Sequence, residues 1–571
     1  MAEFIKTQNS FANGEVAPEF YANNNINGLS KLENMDVLSG GGLSRRAGLV
    51  SVSQLGDGAR LISFSVSDDE EYVIAFVNKR MMIFQNKQLM QELICPWTDA
   101  DVANIQYAQR FGTMIFVHPD YTPYVLSKKN GVFDLSVFLF AQNDANLDVF
   151  MPYIRFDDSA DITITVTAST AGNNYAIFTT NRDFWTPDNV GGRLRLLDRQ
   201  WTVSEYNSPT EVVAYVNGTY SLPSESVADW QESAFSKRRG WPCSITFHQD
   251  RLVFGGSRSW TGGIWMSQVG KHTNFDIGTG LDDEAIFVSL LSQQRQRIST
   301  VVSSDNLQIL TNVGEWAISS KPLTPSSVDI KQHTSVGSYT LRYIQPQKIE
   351  GSTVFLSNNG RDIRELSLDD LGEKYNANDL CVFAKHLMSE PTDIAYNSTT
   401  RQLFVVQDNG LIAVLNQNAG LGISAWATYK TQGKFLSVTV SDETTYVAVQ
   451  RDNGVFLEYF DTSALTDCGQ YEFLCVASSL PMRVSNHEVS RIKLRKVSAR
   501  VLNTKSICIN QHNISLPNEI YDDASSGYTG DVSINLLGTQ RDCMAPVWTI
   551  HSAQSYPLTI LSVTTYGWYT V

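Results

Sequence analysis

The sequence predicts a mainly β protein: a β-propeller of six or seven blades with an inserted small β domain and a C-terminal β domain. Three features carry this expectation: a composition suited to strands, hairpins that recur at blade spacing, and one gap too long for a blade. At 571 residues the chain exceeds one ordinary core. Hydrophobic residues make up 42% and charged residues 18%, with 23 Tyr, 27 Phe and 11 Trp. Aromatic and β-branched residues favour strands, and Asn, Ser and Gly favour the turns between them.

The hairpins are explicit. "YVIAFVNKRMMIF" begins at Tyr72, "FGTMIFVHPDYTPYVL" at Phe111, "RLVFGGSRSWTGGIWMS" at Arg251 and "NLQILTNVGEWAI" at Asn306. "STVFLSNNGRDIREL" follows at Ser352, "RQLFVVQDNGLIAVL" at Arg401 and "TYVAVQRDNGVFLEYF" at Thr445. In each, two apolar runs flank a polar turn, often Asn-Gly or Gly-Gly, which supplies positive φ. Most fall roughly 40 to 55 residues apart, the spacing of four-stranded propeller blades. Helical periodicity is scarce, and "DADVANIQYAQR" (Asp99–Arg110) is the best short candidate.

The interval from Phe111 to Arg251 spans about 140 residues, roughly 90 more than a blade needs. Within it "DITITVTASTAGNNYAIFTT" and "GGRLRLLDRQWTVSEYNSPTEVVAYV" read as strands of a separate unit. The expected division is an N-terminal arm at 1–50, propeller at 51–149, an inserted β domain at 150–228, propeller again at 229–464, and a C-terminal β domain at 465–571. The closing "YPLTILSVTTYGWYTV" reads as a paired strand rather than a frayed end.

The net charge of −15 argues against a protein that grips nucleic acid by its phosphates, although one that merely surrounds DNA fits. Seven scattered cysteines (95, 243, 381, 468, 475, 508, 543) never form CxxC, so neither a disulfide framework nor a zinc site is expected. "MAEFIKTQNSFANGEVAPEF" lacks an apolar core and no 18-residue apolar run follows, so neither a signal peptide nor a membrane span is expected, and a reducing cytoplasm is the expected place of synthesis.

"HQDRLVFGGSRSWTGGIWMSQVGKHTNFD" (His248–Asp276) holds two histidines, an Asp-Arg pair and two Gly-Gly pairs. Strand-like runs flank its glycines, no helix follows, and GK[ST] is absent, so phosphate-loop geometry is missing. Gly255 and Gly256 are read as turning a strand. Asp250 and Arg251, with Arg361, Asp362 and Arg364 of "GRDIRE", are read as tying turn amides or bridging blades. The carboxylate pairs Asp68–Asp69, Asp157–Asp158, Asp282–Asp283 and Asp369–Asp370 sit in turn-like contexts, and strand neighbours point to opposite faces, so paired glycosidase chemistry is not expected. The histidines, His118, His248 and His272 among them, form no local metal or catalytic spacing. No catalytic residue, cofactor or metal is assigned.

Several stretches, in order, resemble the tail nozzle proteins of short-tailed bacteriophages, also called tail tubular protein B or stabilisation protein. They are "SFANGEVAPEFYANNNINGLSKLENMDVLSGGGLSRRAG", "IQYAQRFGTMIFVHPDYTPYVL", "RGWPCSITFHQDRLVFGGS", "DNLQILTNVGEW", "LTPSSVDIKQHTSVGS", "GRDIREL", "YNANDLCVFAKHL" and "YPLTILSV". The resemblance implies a virion protein of the tail, assembled in the host bacterial cytoplasm as a homo-hexameric tube. It implies contacts with the adaptor (head-to-tail connector) ring and with tail fibre or spike proteins. The packaged genome would be retained, and double-stranded DNA would pass through without specific binding. Under this reading Phe11, Glu15, Pro18, Arg45 and Arg46 are interface residues meeting a neighbour or the adaptor, the plainer reading of Arg45–Arg46 being a solvated turn. The alternatives are a glycan-hydrolysing propeller on the virion surface and a receptor-binding one that reads a host through Trp185, Trp230 and Trp260.

Overall fold

The computed structural model describes residues 2–21, 26–67, 69–145, 147–196, 199–218, 220–369, 372, 374–482, 491–516, 527–540 and 545–570. Asp68, Asp370 and Cys543 lie outside the described residues. The chain is mainly β and of the propeller class. Among the described residues are six four-stranded sheets, and a seventh four-stranded meander that continues into a ten-stranded sheet. Each of the seven hairpins read from the sequence supplies the two central strands of one of these blades. The strands divide into two compact units.

The first unit comprises residues 1–102, 344–368 and 377–571 and holds three blades and most of a fourth. Blade 1 runs Arg60–Ser67, Glu70–Val77, Arg80–Gln85 and Gln88–Ile94. Blade 5 starts at Gln347–Ile349 and Ser352–Leu356, and blade 6 spans Pro391–Asn397, Gln402–Gln407, Ile412–Asn418 and Ile423–Tyr429. Blade 7 combines Lys434–Ser441, Thr444–Arg451 and Gly454–Asp461 with Gly48–Gly56, which pairs antiparallel from Gly48 opposite Asp461 to Gly56 opposite Val455. A strand near the N-terminus therefore completes a blade whose other strands lie about 400 residues later. Apolar side chains pack blade against blade: Val447 and Val449 with Phe404 and Val414, and Ala448 and Leu457 with Val73 and Phe84.

The N-terminal arm is no free arm. Ala2–Gln8 pairs along Thr559–Thr570, and Leu43–Arg45 meets the start of that same strand. Gly28–Glu33 pairs with Cys475–Ser479, and one core joins Phe11, Leu29, Leu32 and Met35 to Val497, Trp548, Ile550 and Val563. The expected separate domains at 1–50 and 465–571 are thus one body, because neither half buries its apolar face alone. The final strand is paired on both sides, as expected.

The second unit comprises residues 103–343 and 369–376. It holds blade 2 (Gln106–Arg110, Thr113–His118, Tyr121–Lys129, Val132–Val137), blade 3 (Ser244–His248, Arg251–Gly255, Gly263–Met266, Ile286–Ser289) and blade 4 (Ile298–Ser303, Leu307–Thr311, Glu315–Ile318, Ile330–Thr334). The inserted domain is a seven-stranded sheet with its own core of Phe178, Trp185, Trp201 and Trp230. Its last strand is Trp230–Ser233, pairing with Arg193–Leu196 and Tyr153–Ile154, so the insertion ends beyond the expected boundary at 228. The helix expected over Asp99–Arg110 is one turn, Asp99–Val102, and Gln106–Arg110 is instead claimed by its ladder with Thr113–His118.

Candidate functional site

Most side chains singled out as interface residues face inward. Phe11 is fully buried, edge-on to Trp548 with ring centroids 6.2 Å apart. Buried Glu15 accepts the Leu32 backbone N–H at 2.7 Å and lies 3.0 Å from His386 Nε2. Between them Gly14 holds φ +59°, and a Cβ there would stand 2.4 Å from the Trp426 carbonyl oxygen, so only glycine fits. Pro18 alone is exposed, at the start of a 3₁₀ turn. The interface reading of Phe11, Glu15, Arg45 and Arg46 is therefore corrected, and so is the solvated-turn reading of the two arginines.

Arg45 donates to the carbonyls of Gln554, Leu465 and Phe473 at 3.0–3.2 Å and stacks 4.1 Å from the Phe473 ring centroid. Arg46, 1% exposed, clasps the fully buried Asp467 with two hydrogen bonds of 3.0 and 2.8 Å. Its Nε donates to Asn34 Oδ1 at 2.9 Å, and the Phe473 ring lies 3.6 Å beneath it. Asp467 also accepts from the Thr431 hydroxyl, which accepts from Arg451, itself paired with Glu458. A planar, always-charged guanidinium suits such a node because it can satisfy several acceptors at fixed angles.

Of the residues read as turn or blade ties, Asp250, Arg251, Gly255, Gly256, Asp362 and Arg364 make local or inter-blade contacts, and the exposed Arg361 side chain does not share in them. Arg251 is fully buried and donates to the carbonyls of Ser267 and Glu284 at 2.8 and 2.5 Å, and of Asp282 and Leu323 at 2.8 and 3.3 Å. It thereby fastens blade 3 to the loop that leaves blade 4's third strand. Asp250, at φ +58°, pairs with Arg110 of blade 2 at 2.5 Å, and His272 joins the pair. Gly255 abuts blade 4, where a Cβ would meet Val301 at 2.9 Å, and Gly256 turns at φ +61°. Asp362 binds Asn359 at 2.8 Å and lies 3.4 Å from Arg364, which also reaches Asp379, while Arg361 is exposed. Trp185 and Trp230, offered as receptor-reading aromatics, are core residues at 2% and 1% exposure; Trp260 is half-buried.

A recess opens above Arg45 and Arg46, within the first unit, with a volume of about 950 Å³. Its floor joins strands far apart in sequence. Asp36, in the short strand Met35–Val37 that pairs with Leu43–Arg45, accepts hydrogen bonds from the Tyr429 hydroxyl and from Gln402 Nε2 (2.7 Å) of blade 6. Gln402 also reaches Asn416 Oδ1 at 3.1 Å. Burial pushes the Asp36 carboxyl up to about 6, against the pull of Tyr429, Arg46 and Gln402. Lys87, Arg401, Glu443 and Asn503 form part of the rim, all with positive φ, the first three in turns and Asn503 where the strand Arg491–Thr504 shifts register. No spacing in the sequence marks this floor, because its four polar residues meet only through tertiary pairing.

Among the described residues no group of three or more His, Cys, Asp or Glu side chains is placed to hold a metal ion. The described cysteines are free thiols, and burial pushes those of Cys95, Cys243 and Cys475 up to about 11, the opposite of an activated nucleophile.

No family model and no curated protein matches the chain. Among solved structures it is similar to a computationally designed protein, Ika8 (11% identity, 72% of this chain and 100% of that one, TM-score 0.36). It is also similar to BamB from Moraxella catarrhalis (11%, 73% and 100%, TM-score 0.33) and to the Cps50 (Swd1) β-propeller domain from Myceliophteria thermophila (10%, 72% and 100%, TM-score 0.35). The propeller assignment rests on the seven blades themselves.

Proposed function

We propose that the protein is a structural component of the virion, the tail nozzle of a short-tailed phage. Six copies form a ring that meets the adaptor and tail fibres or spikes, retains the packaged genome, and conducts double-stranded DNA during ejection. One observation carries the reading: the ordered motifs that resemble the nozzle family fall on internal struts. Arg-Arg-x-Gly supplies Arg45 and Arg46, Asp-Arg-Leu-x-Phe-Gly-Gly supplies Arg251 and the Gly255 contact, and Gly-Arg-Asp-Ile-Arg supplies Asp362 and Arg364. Side chains invested in holding blades together serve a conduit wall, which must keep its shape while cargo passes.

The charge fits such a wall. Lysine- and arginine-rich surfaces hold phosphates by counterion release, whereas a net charge of −15 leaves duplex DNA mobile. Fluorescence anisotropy with a short labelled duplex should show no measurable affinity at about 0.15 M salt, where screening acts beyond roughly 8 Å. Saturable binding at low micromolar protein would replace the passive conduit by a clamp. The receptor-binding alternative loses two of its three aromatics to the core of the inserted domain.

A further inference from the structure

We propose that the recess over Asp36 is a binding site for a neutral saccharide. The inference does not rest on the nozzle reading. At about 950 Å³ the recess lies at the upper end of small-ligand sites. Its walls mix amides and hydroxyls, among them Asn397, Thr399, Thr400 and Thr444, with aromatic and apolar side chains such as Phe460 and Leu465, the two kinds of surface that a sugar ring presents.

Two features of the floor ask for a ligand with hydroxyl groups. Asn416 is 6% exposed, and its Nδ2 has no acceptor in the protein, while its Oδ1 is occupied by Gln402. That bond fixes which end of the amide is the donor. A buried donor without an acceptor costs about 1–3 kcal/mol, which a ligand oxygen would recover. Beside it, the hydrogen bonds to Asp36 from Tyr429 and Gln402 both fall on Oδ1. Oδ2 remains to accept from a ligand. Neighbouring donor and acceptor positions match vicinal hydroxyls, each of which donates and accepts at once.

Other ligand classes fit less well. The guanidiniums of Arg45 and Arg46 are held by Asp467 and by backbone carbonyls, and Asp36, Glu443 and Asp461 line the same recess, so a phosphate would meet carboxylates without a free arginine clamp on the floor. An apolar ligand would leave Asn416 and Asp36 unmatched. An extended peptide would seek an open strand edge, but the Gln402–Gln407 and Ile412–Asn418 strands beneath are paired on both sides.

The test is isothermal titration of the full chain with chitotriose, maltotriose and cellotriose as free sugars, and with an uncharged O-antigen oligosaccharide as an envelope-derived one. Saturable binding of at least one is expected, and which one separates a free saccharide from an envelope glycan. Thr400 is exposed at the recess, so Thr400→Trp should narrow the recess without unfolding the chain. It should weaken binding at least about tenfold, equivalent to about 1.4 kcal/mol. Asn416→Leu should do the same. Absence of saturable binding for every sugar up to about 10 mM, where even millimolar affinity would register, overturns the proposal. So does binding that Thr400→Trp leaves unchanged while its melting temperature matches wild type. Either failure leaves the sixfold tail reading untouched.

Discussion

Two buried arginines, Arg46 in the first unit and Arg251 in the second, solve the same problem by different chemistry. Arg46 answers a buried carboxylate, Asp467, and aromatic faces; Arg251 answers backbone carbonyls alone. In the first, removing either charge strands the other where water cannot reach. In the second, removal strands only neutral acceptors. Burial accordingly lowers the Arg251 pKa, with only Asp283 opposing it. The first node is strong but brittle, and the second is weaker and distributed.

The largest expected effect is at Arg46. Arg46→Met should cost about 3–5 kcal/mol in denaturant unfolding, because Asp467 is left charged and buried. The double variant Arg46→Met/Asp467→Leu should recover much of that loss, and a double variant no better than the single would refute the paired-charge account. Arg251→Leu comes next, at about 2–3 kcal/mol for carbonyls left without donors. No second-site carboxylate change should rescue it. If Asp283→Asn did, Arg251 would be a salt-bridge residue and the contrast would fail.

A smaller effect follows from Asp36. Its folded pKa, about 6, exceeds the ordinary 3.8, so the folded state holds the proton more tightly than the unfolded chain. The stability this contributes is full below pH 4 and is lost as pH rises through about 6. Asp36→Asn, which keeps an acceptor for Tyr429 and Gln402, should remove that slope and gain about 1–3 kcal/mol at pH 7 relative to its difference at pH 4. Melting curves at the two pH values decide it, and parallel curves would mean the carboxyl is better hydrated than its surroundings suggest. The smallest effect is expected at exposed Arg361, where alanine should shift stability by less than about 0.5 kcal/mol.

The same contrast explains what the sequence disclosed. Hairpins such as "QDNG" and "RDNG" are local, so their strands and turns were legible, and Gly410 indeed turns at φ +84°. Blade 7's fourth strand was not legible, because Gly48–Gly56 reaches it from about 400 residues away. The insertion showed as excess length, yet its edge was missed because Trp230–Ser233 returns to pair with Arg193–Leu196. Arg45 and Arg46 read as solvent-facing because charge usually is, and their partners Phe473 and Asp467 lie in another part of the sequence. The floor of Asp36, Gln402, Asn416 and Tyr429 left no local trace for the same reason.

The measurement that bears most directly on the proposed function is cryo-electron imaging of phage tails containing this chain, with copy number counted by symmetry. Six copies closing a tube at the tail end, continuous with the adaptor ring, are expected, since a conduit needs a closed ring of identical head-to-tail contacts. A trimeric peripheral spike, a twelvefold ring, or absence of the protein from the tail would contradict the account.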